Sequence, residues 1–329
     1  MTPTRQQKAP QPVLVIGEAL VDEFPDGTRV AGGAPFNQAR WLAALGVPVR
    51  FVTRIGQSDA GAACVMTSAR RCGLGTDGIQ RDPLRPTGRV LVSLGNTGPS
   101  YTIEPGSAWD FIDAADARQQ ALQQAPAVVV FGSLAMRSPA SSEAINAVLG
   151  ASAALRFVDL NLRETPELQT LAAQALKLAD WVKVNDEELD RLLAWFVCDG
   201  PLPPEGPVRR EALTELAARF SVQRWIVTCG ERGWFALNSE GRRDAAGLAP
   251  AVPRLVDTVG AGDAFSAVVV AGFAAHWPLA RSLKGAAQLA AAVCGLRGAL
   301  PDDAAFFDHW RCQLGLVSPA ARAASGLIG

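Results

Sequence analysis

Six short runs of apolar, mostly β-branched residues punctuate the chain: Val13–Ile16, Phe51–Thr53, Val128–Phe131, Phe157–Val158, Trp181–Val184 and Trp225–Thr228. Each lacks the apolar–polar alternation of a half-exposed strand and predicts a strand covered on both faces. Ala- and Leu-rich segments of helical period lie between them, over residues 37–45, 117–124, 140–149 and 168–178. Strand and helix in alternation imply right-handed crossovers. The expected fold class is α/β, a three-layer sandwich around a central, mostly parallel sheet.

Two regions break this rhythm. Glu18 to Gly33 carries Phe24-Pro25-Asp26-Gly27-Thr28, and Asp-Gly between extended segments is a hairpin signal. Thr87 to Glu104 alternates through Val90, Val92, Leu94, Tyr101 and Ile103 around a turn at Gly95-Asn96-Thr97-Gly98-Pro99. Together they predict a small antiparallel sheet standing off the main body as a lid. The Pro- and Gly-rich stretch Asp199–Pro207 reads as a surface loop within the domain. The expected organisation is a polar N-terminal extension over 1–12, one α/β domain over 13–315 and a tail over 316–329. The lid would come from about 18–36 and 87–106.

Composition narrows the chemistry. Apolar residues make up 49% and charged residues 19%, enough for a packed core and unlike a disordered chain. The formal net charge of -1 argues against nucleic-acid or anionic-membrane binding. The longest apolar stretch, Ala264–Ala275, falls short of the roughly 20 residues a spanning helix needs. Six cysteines without a C-x-x-C pair predict buried, reduced thiols and a cytoplasmic location. Two histidines leave no His-rich metal site, and none of the four lysines follows a glycine, so a P-loop is absent.

In open α/β sheets, ligands bind beyond the carboxyl ends of the strands. Polar residues crowd there: Gly17, Glu18 and Asp22; Gly132 and Ser133; Asp159, Asn161 and Arg163; Asn185 and Glu188; Thr228 and Gly230. Any one of these could be an ordinary strand-to-helix cap, but five together predict a ligand cleft. The strongest local signal is Asp257-Thr258-Val259-Gly260-Ala261-Gly262-Asp263, which runs into the apolar helix 264–273. Small residues at a helix N-terminus make an anion site from main-chain N–H groups. Asp263, in the first turn, has two readings: a favourable helix-terminal charge, or a base taking a proton from an attacking hydroxyl. Gly73-Leu74-Gly75-Thr76-Asp77-Gly78 matches a dinucleotide fingerprint in letters alone. It follows a helical segment, 62–72, and precedes Ile79–Pro83, which cannot open a helix, so it reads as a cap and turn.

Two motifs resemble those of the ribokinase-like (PfkB) carbohydrate kinases. Gly32-Gly33-Ala34-Pro35-Phe36-Asn37-Gln38-Ala39 is similar to the family's di-glycine motif, and Asp257–Asp263 to its anion-hole motif. The likeness runs from about Val13 to Leu314. It implies that Asp263 is the general base and that the backbone of Gly260, Ala261 and Gly262 holds the transferring phosphoryl group. It places Asp22, Gly32, Gly33 and Asn37 on the sugar, with Arg163 reaching sugar or phosphate from the lid side. Asn185, Thr228, Gly230 and Gly233 would serve the nucleotide, ATP. Glu188 would organise Mg²⁺ through water. Asp257 is open between a monovalent-cation (K⁺) site and a loop-fixing carboxylate. The resemblance further implies small-molecule partners and a homodimer contact through the lid. Gly17-Glu18 through Asp22, the Gly-Gly-Ala-Pro run and Gly132-Ser133 look most like the fructokinase branch. Ribokinases, 2-keto-3-deoxygluconate kinases and nucleoside kinases share the scaffold, and a non-catalytic sugar-binding homologue stands as a further alternative. Trp41 and Phe36 read as core residues, against a base-stacking platform.

Overall fold

A computed structural model describes residues 9–316 except 96, 97, 199, 201 and 204. The strands, in chain order, are β1 (Val13–Ile16), β2 (Leu20–Glu23), β3 (Arg29–Gly32), β4 (Val49–Gly56), β5 (Ile79–Asp82), β6 (Gly88–Gly95), β7 (Gly98–Ile103), β8 (Val128–Phe131), β9 (Leu155–Asp159), β10 (Trp181–Asn185), β11 (Arg224–Thr228), β12 (Trp234–Asn238) and β13 (Arg243–Gly247). The helices are α1 (Ala34–Ala44), α2 (Ala60–Arg71), α3 (Ala114–Gln124), α4 (Pro139–Gly150), α5 (Leu168–Leu178), α6 (Asp186–Phe196), α7 (Pro207–Phe220), α8 (Ala261–Ala274), α9 (Leu279–Val293) and α10 (Ala304–Leu314).

Nine strands form the main sheet in the order β13-β12-β11-β10-β9-β8-β1-β4-β5. All pair in parallel from β11 to β5, while β12 and β13 add an antiparallel edge that the apolar runs did not foretell. Val13 and Val15 face one core, shared with α1, α2, α8, α9 and α10; Leu14 and Ile16 face the other, shared with α3 to α7. The period of two therefore holds with apolar residues on both faces, which is why the run in sequence looks unbroken. The six apolar runs all lie within strands of this sheet, and the expected helical segments fall on α1, α3, α4 and α5, of which α1 and α3 start three residues earlier and α5 matches its segment. In particular α1 starts at Ala34 with Pro35 in its first turn, a position Pro tolerates because the N–H there has no helical partner.

The smaller sheet has the order β3-β2-β6-β7. Its hairpins β2–β3 and β6–β7 are antiparallel as expected, but its central pair, β2 and β6, is parallel, so the sheet is mixed. Val90 and Val92 are buried and Leu91 is exposed, so the alternation reads correctly where it is described. The tip of the second hairpin, Asn96-Thr97, and the side chains of 93–101 lie outside the described residues, as do most of the N-terminal extension (1–8), nearly all of the tail (317–329) and positions 199, 201 and 204 of the Pro-rich loop. Gly73 closes α2 with φ +71° and the chain enters β5, which agrees with a cap and turn there. None of the six cysteines is in a disulfide, and each is partly exposed, so they are not the buried thiols expected. Among the described residues no helix is long and apolar enough to cross a membrane.

Phe36 and Trp41 are fully buried core residues of α1, and Trp41 Nε1 donates to Ala299 O at 3.1 Å. Trp41→Ala is expected to lower stability by about 3–5 kcal/mol in urea melts, as a large cavity does. A loss below about 1 kcal/mol contradicts this placement.

Candidate functional site

Parallel pairing from β11 to β5 puts the carboxyl ends of β1, β8, β9, β10 and β11 on one edge of the sheet. The small sheet joins this edge directly, because β3 runs through Gly32 and Gly33 into α1. Gly33 is the residue before the helix, with φ +105°, and a Cβ there would lie 2.7 Å from Glu18 O. Only glycine fits both the angle and the approach. Asp22 of β2 is beside this turn, its Oδ2 3.1 Å from where a Gly32 Cβ would stand.

Across the cleft, α8 packs against α1 and opens at Gly260, φ +79°. Its first helical bond runs from Ala264 N–H to Gly260 O at 2.9 Å. Ala261 N–H donates to Thr258 O at 3.3 Å, while the N–H groups of Gly260, Gly262 and Asp263 have no helical carbonyl to pair with. The expected trio of Gly260, Ala261 and Gly262 spans this first turn. Asp263 Oδ2 accepts from Asn37 Nδ2 at 2.7 Å, which ties the two motifs of the sequence together. Asn37 is oriented in turn by Arg40, whose guanidinium donates to Asn37 Oδ1 and, at 3.2 Å, to Ala31 O.

Beneath Asp263 lies a polar cluster that motif reading did not single out. Asp159, buried at the end of β9, accepts from Gln38 Nε2 (2.9 Å), Ser266 Oγ (2.6 Å) and Lys183 Nζ (3.2 Å). Gln38 follows Asn37 on α1, and Ser266 lies one turn after Asp263 on α8, so Asp159 clamps the same two helices from below. Burial pushes the Asp263 carboxyl up to about 6, helped by the Asp159 charge and opposed by Asn37, Lys183 and Arg163. Glu18 is pushed up to about 7, again mainly by burial, against its backbone hydrogen bond and Arg163. Its Oε2 and the Oε1 of Gln38 have no hydrogen-bond partner among the described residues. Both residues line a cavity of about 10 Å³, room for roughly one water. A larger cavity of about 330 Å³, between the 250–253 segment, α9 and α10, shares no lining residue with it.

Arg163 is exposed on the loop after β9, and its charge draws down the carboxyls of Glu18, Asp22 and Asp263; burial nonetheless holds Asp22 above its ordinary value. Asn185 and Glu188 form a reciprocal capping box at the start of α6, Asn185 Oδ1 taking the Glu188 N–H (2.7 Å) and Glu188 Oε2 the Asn185 N–H (2.8 Å). Glu188 Oε1 also accepts from Leu162 N–H at 2.7 Å. Both its oxygens are thus engaged by backbone, which leaves it suited to orient water more than to grip an ion directly. Thr228 ends β11, and Gly230 and Gly233 bracket the turn into β12. Asp257 accepts from Val259 N–H and Gly298 N–H, both at 3.0 Å, joining the segment before α8 to the one after α9.

Comparison with known proteins gives this arrangement a context. The family model for pfkB family carbohydrate kinases matches residues 10–304. A fructokinase from Klebsiella pneumoniae is 31% identical over 278 residues, 80% of this chain and 85% of that protein. A fructokinase from Vibrio alginolyticus is 28% identical over 279 residues, covering 80% and 84%. The crystal structure of a fructokinase with bound ATP from Xylella fastidiosa superposes with a TM-score of 0.76 at 24% identity, covering 92% of this chain and 99% of that one. The ribokinase of Arabidopsis thaliana complexed with ribose and ATP gives 0.74 at 24%, covering 92% and 99%. The protein is a phosphotransferase acting on a sugar hydroxyl. The chain belongs to the pfkB family of carbohydrate kinases.

Glu18 provides a test of the burial itself. In the folded chain it holds its proton to about pH 7, against an ordinary value of 4.5. The folded state therefore binds more protons, and stability falls as pH rises through that window. Glu18→Gln is expected to remove part of the fall, leaving the variant more stable than wild type at pH 8 by roughly 1–3 kcal/mol. Urea midpoints at pH 5 and pH 8 measure it; an equally steep fall in both proteins contradicts the placement.

Proposed function

We propose that this chain is an ATP-dependent fructokinase in which Asp263 is the general base. The observation that carries the reading is the position of Asp263: a carboxylate at the amino end of α8, beside open N–H groups, aimed by Asn37. A sugar hydroxyl in the cleft would be bound by Asp22 and Asn37 and by the backbone of Gly32 and Gly33, with Arg163 closing from the lid side. Asp263 accepts the hydroxyl proton as the oxygen attacks the γ-phosphorus and the bond from that phosphorus to the bridging oxygen breaks, releasing ADP, and the N–H groups at the start of α8 receive the charge on the transferring group. Phosphoryl transfer asks a protein mainly for this kind of positioning and charge neutralisation. The small sheet excludes water from the attacking position.

Solved relatives support the ligands: one is a fructokinase from Vibrio cholerae with fructose, ADP and potassium, another a putative ribokinase II of E. coli with ATP and Mg²⁺. Magnesium, when bound, neutralises phosphate oxygens, and Glu188 with Asn185 would hold its water shell. Thr228, Gly230 and Gly233 line the nucleotide side. A K⁺ at Asp257 fits its place in the loop that leads into α8, where both oxygens keep lone pairs beyond their two N–H bonds. Fructose as acceptor follows from the Gly17-Glu18 to Asp22 segment and the fructokinases among the relatives. A second copy of the chain against the outer face of the small sheet, where Val30 is 44% exposed, completes the proposal.

Two measurements test it. ATP consumption over fructose, ribose, ketodeoxygluconate, tagatose and adenosine is expected to favour fructose; a clear preference for another acceptor overturns that assignment. Asp263→Asn is expected to cut kcat by about 10²–10⁴ while both substrates still bind in calorimetry. Because the base must be ionised, wild-type kcat/KM falls as pH drops through about 6. Near wild-type kcat in Asp263→Asn refutes the assignment.

A further inference from the structure

We propose that Lys183 is a positioning residue for phosphoryl transfer, its ammonium seated between Asp159 and the Gly260–Gly262 turn so that the turn is backed by a fixed positive charge. The inference rests on the kinase reading above.

Val182 and Val184 of β10 face the core beneath α3 to α7, and Lys183 between them points to the opposite face, toward α8. Its register partner on β9 is Asp159. The side chains of Lys183 and Asp159 are only 9% and 3% exposed, and the Nζ–Oδ1 distance is 3.2 Å. A methyl group placed on Gly262 would stand 3.2 Å from Lys183 Nζ, so the ammonium lies directly against the turn whose N–H groups are open.

A buried ion pair is a weak source of stability compared with apolar residues of the same volume, because desolvation offsets the attraction. At this place the pair has a second effect. The open donors of Gly262 and Asp263 are neutral dipoles, and Lys183 adds a full charge behind them in a poorly screened interior. Asp159 fixes that charge in place, with Gln38 and Ser266 holding Asp159 from the two helices of the cleft. Burial alone would favour loss of the Lys183 proton, yet the carboxylates of Asp159, Glu188 and Asp263 outweigh it and keep the ammonium charged.

The same pair sets the ionisation of Asp263 with opposing signs, Asp159 raising it and Lys183 lowering it. The other groups acting on Asp263 are Asn37 and Arg40 of α1, Arg163 after β9, and Glu18 after β1. None of these groups is itself altered by replacing Lys183 or Asp159, so the two substitutions are expected to move Asp263 in opposite directions.

The experiment compares wild type with Lys183→Met, Lys183→Arg and Asp159→Asn in the full chain. Three quantities are measured: the Asp263 carboxyl titration by ¹³C NMR, assigned with Asp263→Asn; the kinetics of sugar phosphorylation; and the melting temperature. Lys183→Met is expected to raise the Asp263 midpoint by about a unit and Asp159→Asn to lower it. Lys183→Met should lose about 10²-fold in kcat with the sugar KM within threefold, and Lys183→Arg should recover at least tenfold of that loss. An unmoved midpoint in both folded variants, or kcat retained in Lys183→Met, overturns the proposal. If Lys183→Met fails to fold, Lys183→Arg and Asp159→Asn decide by the same readouts. A wild type that consumes ATP with no sugar refutes the kinase reading instead, and the NMR midpoints still report whether Lys183 and Asp159 govern Asp263.

Discussion

A carboxylate placed at the floor of a protein cleft must be kept chargeable by what surrounds it, and the cleft of this chain is organised around that constraint. Burial drives Asp263 toward its protonated form. The start of α8 opposes this with its dipole, Asn37 with a 2.7 Å hydrogen bond, and Lys183 and Arg163 with their charges. The result is a carboxyl that ionises at about 6, a value suited to the proton-accepting role proposed for it. The rest of the site can be understood as the means of holding those few groups in place.

Two connections do this. The upper one runs Arg40–Asn37–Asp263 and the lower one Gln38–Asp159–Ser266, so α1 and α8 are tied twice. Because α1 begins where β3 of the small sheet ends, that sheet is joined directly to the helix whose Asn37 holds Asp263. Gly33 makes the junction possible, since its backbone angle and its approach to Glu18 O both exclude a side chain.

The fold was largely legible in the sequence because its signals are local: apolar runs mark the buried strands, and Asp26-Gly27 marks a hairpin. The parallel pairing of β2 with β6 was not legible, since it is decided by how two hairpins meet across a long sequence separation. The edge strand β13 escaped notice because Arg243–Gly247 is a largely exposed, weakly apolar run, whereas β12, Trp234–Asn238, is apolar and its signal was passed over. Asn37, Asp263 and Gly33 announced themselves through motifs. Asp159 and Lys183 did not, although a lysine inside an apolar strand run is itself a signal, because a charge buried there needs a partner that only the register of β9 against β10 supplies. Asn185 and Glu188 show the converse: the pair looked chemical in sequence, and in the fold it is at least a helix cap.

The account stands on Asp263 removing the proton from the attacking hydroxyl, and chemical rescue tests that step most directly. In Asp263→Ala, single-turnover formation of sugar phosphate is expected to fall to a trace and to recover in proportion to added formate, a small base able to occupy the vacated carboxylate position. Rapid turnover in Asp263→Ala without formate, matching the wild type, would contradict the account.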